Sequence, residues 1–278
     1  MECRELALRA ADVAIEAGKH ALQEQMNPHD LKMMSRPTSK REQFTSDVDD
    51  LLIRFVRNRL IHVDPYDGFW EEESGNLKPG GRYWCVGHID GVINYMRNMS
   101  EWTVTISLFE VDENGEGKPI LGVVHAPALG VTYVAARGNG AIRIRKTPIG
   151  DKREKAVPSI TPTLDGAVVS FGMSYFAKEA ERALRTVTAL SAGKPADIKR
   201  VGPASLDLCK VADGTYDAYF EPMLHSWDIP AVAAGAVVVW EAQGQLSQWN
   251  GEDIHWNRGN DVLATNGLIT KDIQQYLV

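Results

Sequence analysis

Apolar periodicity changes twice along this chain, and the order of the changes leaves few folds open. Leu6, Ala10, Val13, Ala14, Ala17 and Ala21 recur at helical spacing, so a helix is predicted over residues 5–25. Residues 27–46 are polar, contain Pro28 and Pro37, and predict a loop. A second helix is predicted from about Val48 to Ile61, capped by Ser46 or Asp47, with Leu51, Leu52, Phe55, Val56 and Leu60 as its stripe. The period then shortens to two. Strands are expected at Tyr83–Val86, Trp102–Val111, Ile120–His125, Val131–Ala136 and Ala141–Ile144, in an antiparallel succession. Residues 146–162, rich in Lys, Pro and Thr, read as a linker.

The second half alternates. Strands at Ala167–Phe171, Tyr216–Glu221, Gln245–Gln248 and Val262–Ala264 are interleaved with helices at Lys178–Leu190, Ala204–Ala212 and Trp227–Glu241, and a last helix begins near Lys271. Helices and strands mixed in this way predict an α/β protein of alternating helix and sheet layers. The expected division is an N-terminal α+β half, residues 1–150, and a C-terminal α/β half, residues 151–278, packed as one unit.

A chain of 278 residues, 44% hydrophobic, is long enough for a large core. Its net charge of −7, without a long basic run, argues against a nucleic-acid partner. The longest apolar stretch, Ala231–Trp240, is far too short to span a membrane, and no secretory signal is visible, so a cytoplasmic protein is expected. Cys3, Cys85 and Cys209 are odd in number and widely spaced, which suits reduced thiols.

Acidic residues stand at the edges of predicted elements: Asp49 in Ser46-Asp47-Val48-Asp49, the run Glu71-Glu72-Glu73-Ser74, Asp90 in Ile89-Asp90-Gly91, and Asp228 after Trp227. Carboxylate oxygens are natural ligands for Mg²⁺, and a pair of such ions can stabilise both the attacking and the leaving oxygen in phosphoryl transfer. Any one of these acids taken alone is most simply solvated surface.

Their order carries more. Ser-Asp-Val-Asp is followed by Glu-Glu-Glu-Ser and Ile89-Asp90-Gly91-x-x-Asn94-Tyr95. Val201-Gly202-Pro203-Ala204, Asp217 to Glu221, His225-Ser226-Trp227-Asp228 and Glu241 to Gly244 follow in turn. This succession resembles the inositol monophosphatase superfamily from about residue 5 to residue 270. The resemblance implies that fold, a divalent metal (Mg²⁺, with Mn²⁺ or Zn²⁺ as alternatives), a small phosphorylated substrate and a homodimer. It implies metal-ligand roles for Glu72, Asp90 and Asp228 and for the Ile89 carbonyl. Asp49 would orient the attacking water. Gly91 and Val92 would hold phosphate through backbone N–H groups. Gly202, Pro203 and Ala204 match a substrate loop, and Glu221 a carboxylate that bonds polyol hydroxyls.

Three positions depart from the family's D-P-I-D-G-T pattern. Gly87 stands at the first Asp, which bridges two ions, His88 at the Pro, and Val92 at the Thr that helps hold the water. Unit charges ~4 Å apart interact at about 4 kcal/mol for an effective dielectric of ~20, and two dications repel roughly fourfold more. Losing the bridging carboxylate therefore weighs heavily on a two-ion state, and the Val92 side chain offers no hydrogen bond. His88 is a poor substitute, because neighbouring side chains of an extended segment face opposite ways. The expectation is a metal-dependent phosphomonoesterase of weakened hydrolytic power acting on a polyol, sugar or nucleotide phosphate. The alternatives are a biosynthetic enzyme repurposed away from hydrolysis and a ligand-binding protein without turnover.

Overall fold

The computed structural model describes residues 2–26, 34–38, 41–45, 47–70, 77–174 and 176–278. Glu72, with its neighbours Glu71 and Glu73, lies outside the described residues, as does Ser46.

The amphipathic stripes form the helices expected of them, except that Leu51, read as part of the second stripe, is exposed while Leu52, Val56 and Leu60 are buried. Helix α1 spans Cys3–Met26 and α2 spans Asp47–Val63. The segment between them is not wholly loop. Strands β1 (Met34–Thr38) and β2 (Arg41–Thr45) pair antiparallel, with Pro37 opposite Glu42. The proline hid this hairpin from a propensity argument, yet an isolated two-stranded ribbon tolerates a residue that cannot donate to a ladder.

A seven-stranded sheet follows, ordered as in the chain: β3 (Gly68–Phe69), β4 (Arg82–Val86), β5 (Val104–Val111), β6 (Gly117–Ala126), β7 (Val131–Ala136), β8 (Ala141–Thr147) and β9 (Gly150–Lys155). All neighbours are antiparallel except β3 and β4. Strand β9 lies in the segment read as a linker. Its sequence Gly-Asp-Lys-Arg-Glu-Lys has no apolar alternation because it is a solvated edge, and charge on an edge strand discourages pairing with other chains.

The five-stranded sheet has the order β11-β10-β12-β14-β13. Its members are β10 (Val168–Phe171), β11 (Asp197–Lys199), β12 (Ala218–Leu224), β13 (Gln245–Ser247) and β14 (Asn260–Thr265). The remaining helices are α3 (Val92–Met96), α4 (Ala177–Leu190), α5 (Ala204–Ala212), α6 (Ile229–Glu241) and α7 (Thr270–Gln274).

Three apolar clusters define the layering. Leu6, Ala10 and Ala17 of α1, with Leu52 and Val56 of α2, pack on Val104, Ile106 and Leu108 of the large sheet. Leu208 of α5 and Val232 and Val238 of α6 lie between the sheets, against Phe109 and Val124 on one side and Val262 and Ala264 on the other. Ala183 and Leu190 of α4, with Ile273 of α7, cover the outer face of the small sheet through Val169, Phe220 and Leu263. Because helices cover both faces of the large sheet, β5 is buried along almost its whole length. Two glycines set the depth of the central layer. A Cβ on Gly122 would lie 2.2 Å from the Ala234 carbonyl oxygen, and one on Gly235 would lie 2.7 Å from Leu208 Cδ1. Helix α6 therefore sits close on β6, and its first turn is carried to the end of β4.

Candidate active site

Strand β4 ends at Val86, and the chain crosses the sheet edge through Gly87, His88, Ile89 and Asp90 before α3 begins. Asp90 exchanges backbone hydrogen bonds with Thr103, at 3.0 and 2.9 Å, just before β5. Gly91 follows with φ 81°, a left-handed conformation that glycine adopts without strain. A Cβ there would also lie 2.9 Å from the Glu101 carbonyl oxygen.

Side-chain bonds tie this turn to the second half of the chain. Asn94 Nδ2 donates to the Glu101 carbonyl at 2.7 Å and to the Val201 carbonyl at 3.1 Å. The Ser205 backbone N–H, at the start of α5, donates to Asp90 Oδ2 at 3.0 Å, and the Ser205 and Thr103 hydroxyls pair at 2.7 Å. Gly202 has φ 66°, and the Gly202–Pro203 peptide is cis. Helix α2 contributes Asp49, fully buried, whose Oδ1 accepts the Ile89 backbone N–H at 2.7 Å.

The opposite wall comes from β12 and the turn leading into α6. Glu221 Oε2 accepts the Tyr219 hydroxyl at 2.5 Å. Its carboxyl fits only because residue 172 is glycine, where a Cβ would lie 2.4 Å from Glu221 Cδ. Asp228 Oδ2 accepts the His225 backbone N–H at 2.9 Å. The His225 ring stacks on Trp227 at 4.3 Å and meets Glu179 Oε2 at 2.9 Å.

Together these elements enclose a cavity of about 350 Å³. Ile89, Asp90, Gly91, Val92, Gly202, Pro203, Ala204, Glu221 and Asp228 line it, while Asp49 stands behind Ile89. His88, Arg200 and Trp227 line it as well. A second cavity, of about 510 Å³, meets the first at Gly87, His88, Trp227 and Pro230.

The carboxyls that line this cavity raise one another's pKa. Burial pushes the Asp228 carboxyl well above the usual carboxylate range, and the charges of Glu221 and Asp90 add to it. Burial likewise raises Glu221 to about 7, and raises Asp90 against the bonds that Ser205 supplies. Asp207, fully buried on α5, is pushed up to about 7 by the same cause, with Lys210 opposing. A hard cation among Asp90, Asp228 and the Ile89 carbonyl would relieve this repulsion, and an all-oxygen donor set suits such an ion. Among the described residues no three His, Cys, Asp or Glu side chains are grouped to hold a metal. His88 therefore does not join Asp90 and Asp228, and its Nδ1 is buried with no hydrogen-bond partner among the described residues.

Motif matching did not single out Asn94, Tyr219, Gly172, Ser205 or Pro230 as site residues. Asn94 was legible as part of the motif around Asp90. Tyr219 bonds Glu221 two residues along the same strand, whereas Gly172, Ser205 and Pro230 act through contacts between distant segments that no local pattern marks.

Residues 2–277 match the model of the inositol monophosphatase family. The chain belongs to that family. It is similar to a histidinol-phosphatase of Streptomyces coelicolor, 29% identical over 270 residues that cover 97% of this chain and 96% of that protein. It is also similar to the Nus factor SuhB of Xylella fastidiosa, 33% identical over 217 residues, 77% of this chain and 72% of that one. Among solved structures, the extragenic suppressor protein suhB of Bartonella henselae superposes with a TM-score of 0.78 at 25% identity, covering 96% of this chain and 95% of the other. The layered architecture is thus that of the inositol monophosphatase family, a phosphatase-type family that is generally dependent on divalent metal.

Within that frame, the first turn of α6 is pressed against the altered turn. A Cβ on Gly87 would lie 2.9 Å from Pro230 Cβ and 3.0 Å from Thr105 Oγ1.

Proposed function

We propose that this chain binds a small phosphate monoester of a polyol, sugar or nucleotide and hydrolyses it weakly in a divalent-metal-dependent reaction. The observation that carries this reading is the convergence of Asp90, Asp228 and Glu221, half-buried and mutually repelling, on one cavity.

A bound Mg²⁺, Mn²⁺ or Zn²⁺ would be held by Asp90, Asp228 and the Ile89 carbonyl, with Glu72 as a further ligand, and would supply charge neutralisation for the phosphate. The chain's own residues do the rest. Backbone N–H groups of Gly91 and Val92 take phosphate oxygens. Glu221, held by Tyr219, accepts a hydrogen bond from a hydroxyl of the leaving group. Gly202, Pro203 and Ala204 form the rim that meets the substrate. Asp49 holds the Ile89 amide and orients water, while Val92 gives that water no hydroxyl partner.

Residues 1–150 supply Asp49 and Asp90, residues 151–278 supply Glu221 and Asp228, and the two halves meet at the cavity. The proposed setting is cytoplasmic, in keeping with three cysteines that form no disulfide. The proposed assembly is a homodimer.

A second reading is a binding protein without turnover. The crowding of Gly87 by Pro230 favours it, as does similarity to a protein named as a Nus factor. Phosphate release from a panel of polyol, sugar, nucleotide and amino-alcohol phosphates, with each metal tested separately, decides between them. Metal-dependent release supports hydrolysis. Thermal stabilisation by the same esters without release supports binding alone.

A further inference from the structure

We propose that the centre of this protein takes one divalent ion rather than two, because the first turn of α6 occupies the space that a bridging side chain at residue 87 would need. The proposal deepens the hydrolase reading and rests on its placement of a metal at Asp90 and Asp228.

Three observations support it. First, residue 87 is a buried glycine at the end of β4, and its Cα faces α6 so closely that a Cβ would lie 2.9 Å from Pro230 Cβ. Real side chains do not approach so closely, and the obstacle is not the far end of a flexible chain. Pro230 lies in the first turn of α6, where its ring fixes the backbone. That helix is held down at Gly122 and Gly235, where its own backbone and Leu208 leave no slack.

Second, the other neighbour is Thr105, whose hydroxyl would lie 3.0 Å from the same Cβ. Thr105 Oγ1 is buried on β5 and has no hydrogen-bond partner among the described residues. The wall facing residue 87 therefore offers an unused polar atom but no room for the group that would use it.

Third, the two acids assigned to the ion are each partly committed already. Asp90 Oδ2 takes the Ser205 amide and Asp228 Oδ2 takes the His225 amide, so each carboxylate has one oxygen engaged by backbone. With glycine at residue 87, two cations held near these acids would lack a carboxylate from that position between them and would repel each other.

Mn²⁺ titration of the full chain, followed by calorimetry and by electron paramagnetic resonance, tests this without reference to turnover. The expected result is one ion per chain and no spectroscopic sign of a coupled ion pair. Two ions per chain, or a coupled-pair spectrum, overturns the proposal. Gly87→Ala adds only the Cβ and is expected to lower Tm by several degrees with the ion count unchanged. Gly87→Asp is expected to lose at least as much and still bind one ion. An unchanged Tm in either variant, or a second ion in Gly87→Asp, refutes the steric account. Phosphate release measured on the same wild-type sample keeps the two ideas apart. Metal-dependent release with two ions sinks the one-ion inference alone, and one ion without release sinks the hydrolase reading alone.

Discussion

Asp49 on α2 accepts the backbone N–H of Ile89 at 2.7 Å, and this bond fastens the outer helical layer to the turn that carries Asp90. Both residues are buried, so the bond has no water to replace it. Asp49→Ala should destabilise the fold by about 1–3 kcal/mol, since a buried donor loses its acceptor. Asp49→Asn, which keeps an acceptor oxygen, should cost less. Urea unfolding of both variants measures the difference, and equal losses would show that the bond to Ile89 does not carry the effect.

Gly122 on β6 meets the backbone of α6, and a Cβ there would lie 2.2 Å from the Ala234 carbonyl oxygen. Gly122→Ala should cost roughly 1–3 kcal/mol or more, because a helix backbone cannot turn aside as a side chain can. Thermal melts check this, and a neutral Gly122→Ala would mean that the central layer is loosely seated.

His125 makes stability depend on acid. Burial first, then the charges of Lys146 and Lys19, lower its pKa to about 4, and its Nδ1 pairs with the Thr132 hydroxyl at 2.9 Å. The folded ring stays neutral where the unfolded ring, near 6.5, takes a proton. This contribution is complete above pH 6.5 and is lost as pH falls towards 4, by about 2 kcal/mol at pH 5. Replacement by Gln should flatten that part of the stability-pH curve. A variant curve with the wild-type slope would remove His125 as the cause.

Glu221 acts in the opposite sense. Burial raises its folded pKa to about 7 from an ordinary value of 4.5, with Tyr219 opposing. The fold holds this proton while the unfolded chain releases it, so stability falls as pH rises across that window. In chelated protein, Glu221→Gln should raise Tm at pH 8 and leave it nearly unchanged at pH 5. Adding Mg²⁺ at pH 8 should stabilise the wild type, because a cation offsets the same repulsion. A variant that gains nothing at pH 8 would place the electrostatic strain elsewhere.

Much of this molecule was legible in its sequence. The stripe of Leu6, Ala10, Val13 and Ala17 marks α1, and the alternation of Val104, Ile106 and Leu108 marks the face of β5 that meets it, because a helix or a half-buried strand writes its own period into neighbouring residues. The ordered acidic motifs pointed to Asp90, Glu221 and Asp228 together, and the structure brings the three to one cavity. The hairpin β1–β2 was not legible because Pro37 and the polar run around it argue for a loop, and the edge strand β9 was not because its charges carry no apolar period.

The sequence by itself thus determined most of the elements and their layered class, and named the acids to expect at one site. Only tertiary structure decided what those acids face. The contact of Gly87 with Pro230, the fit of Gly172 against Glu221 and the bond from Ser205 to Asp90 each join segments far apart in the chain. Such distances follow from how layers settle on one another, to within a few tenths of an ångström, and local residue patterns do not encode that depth.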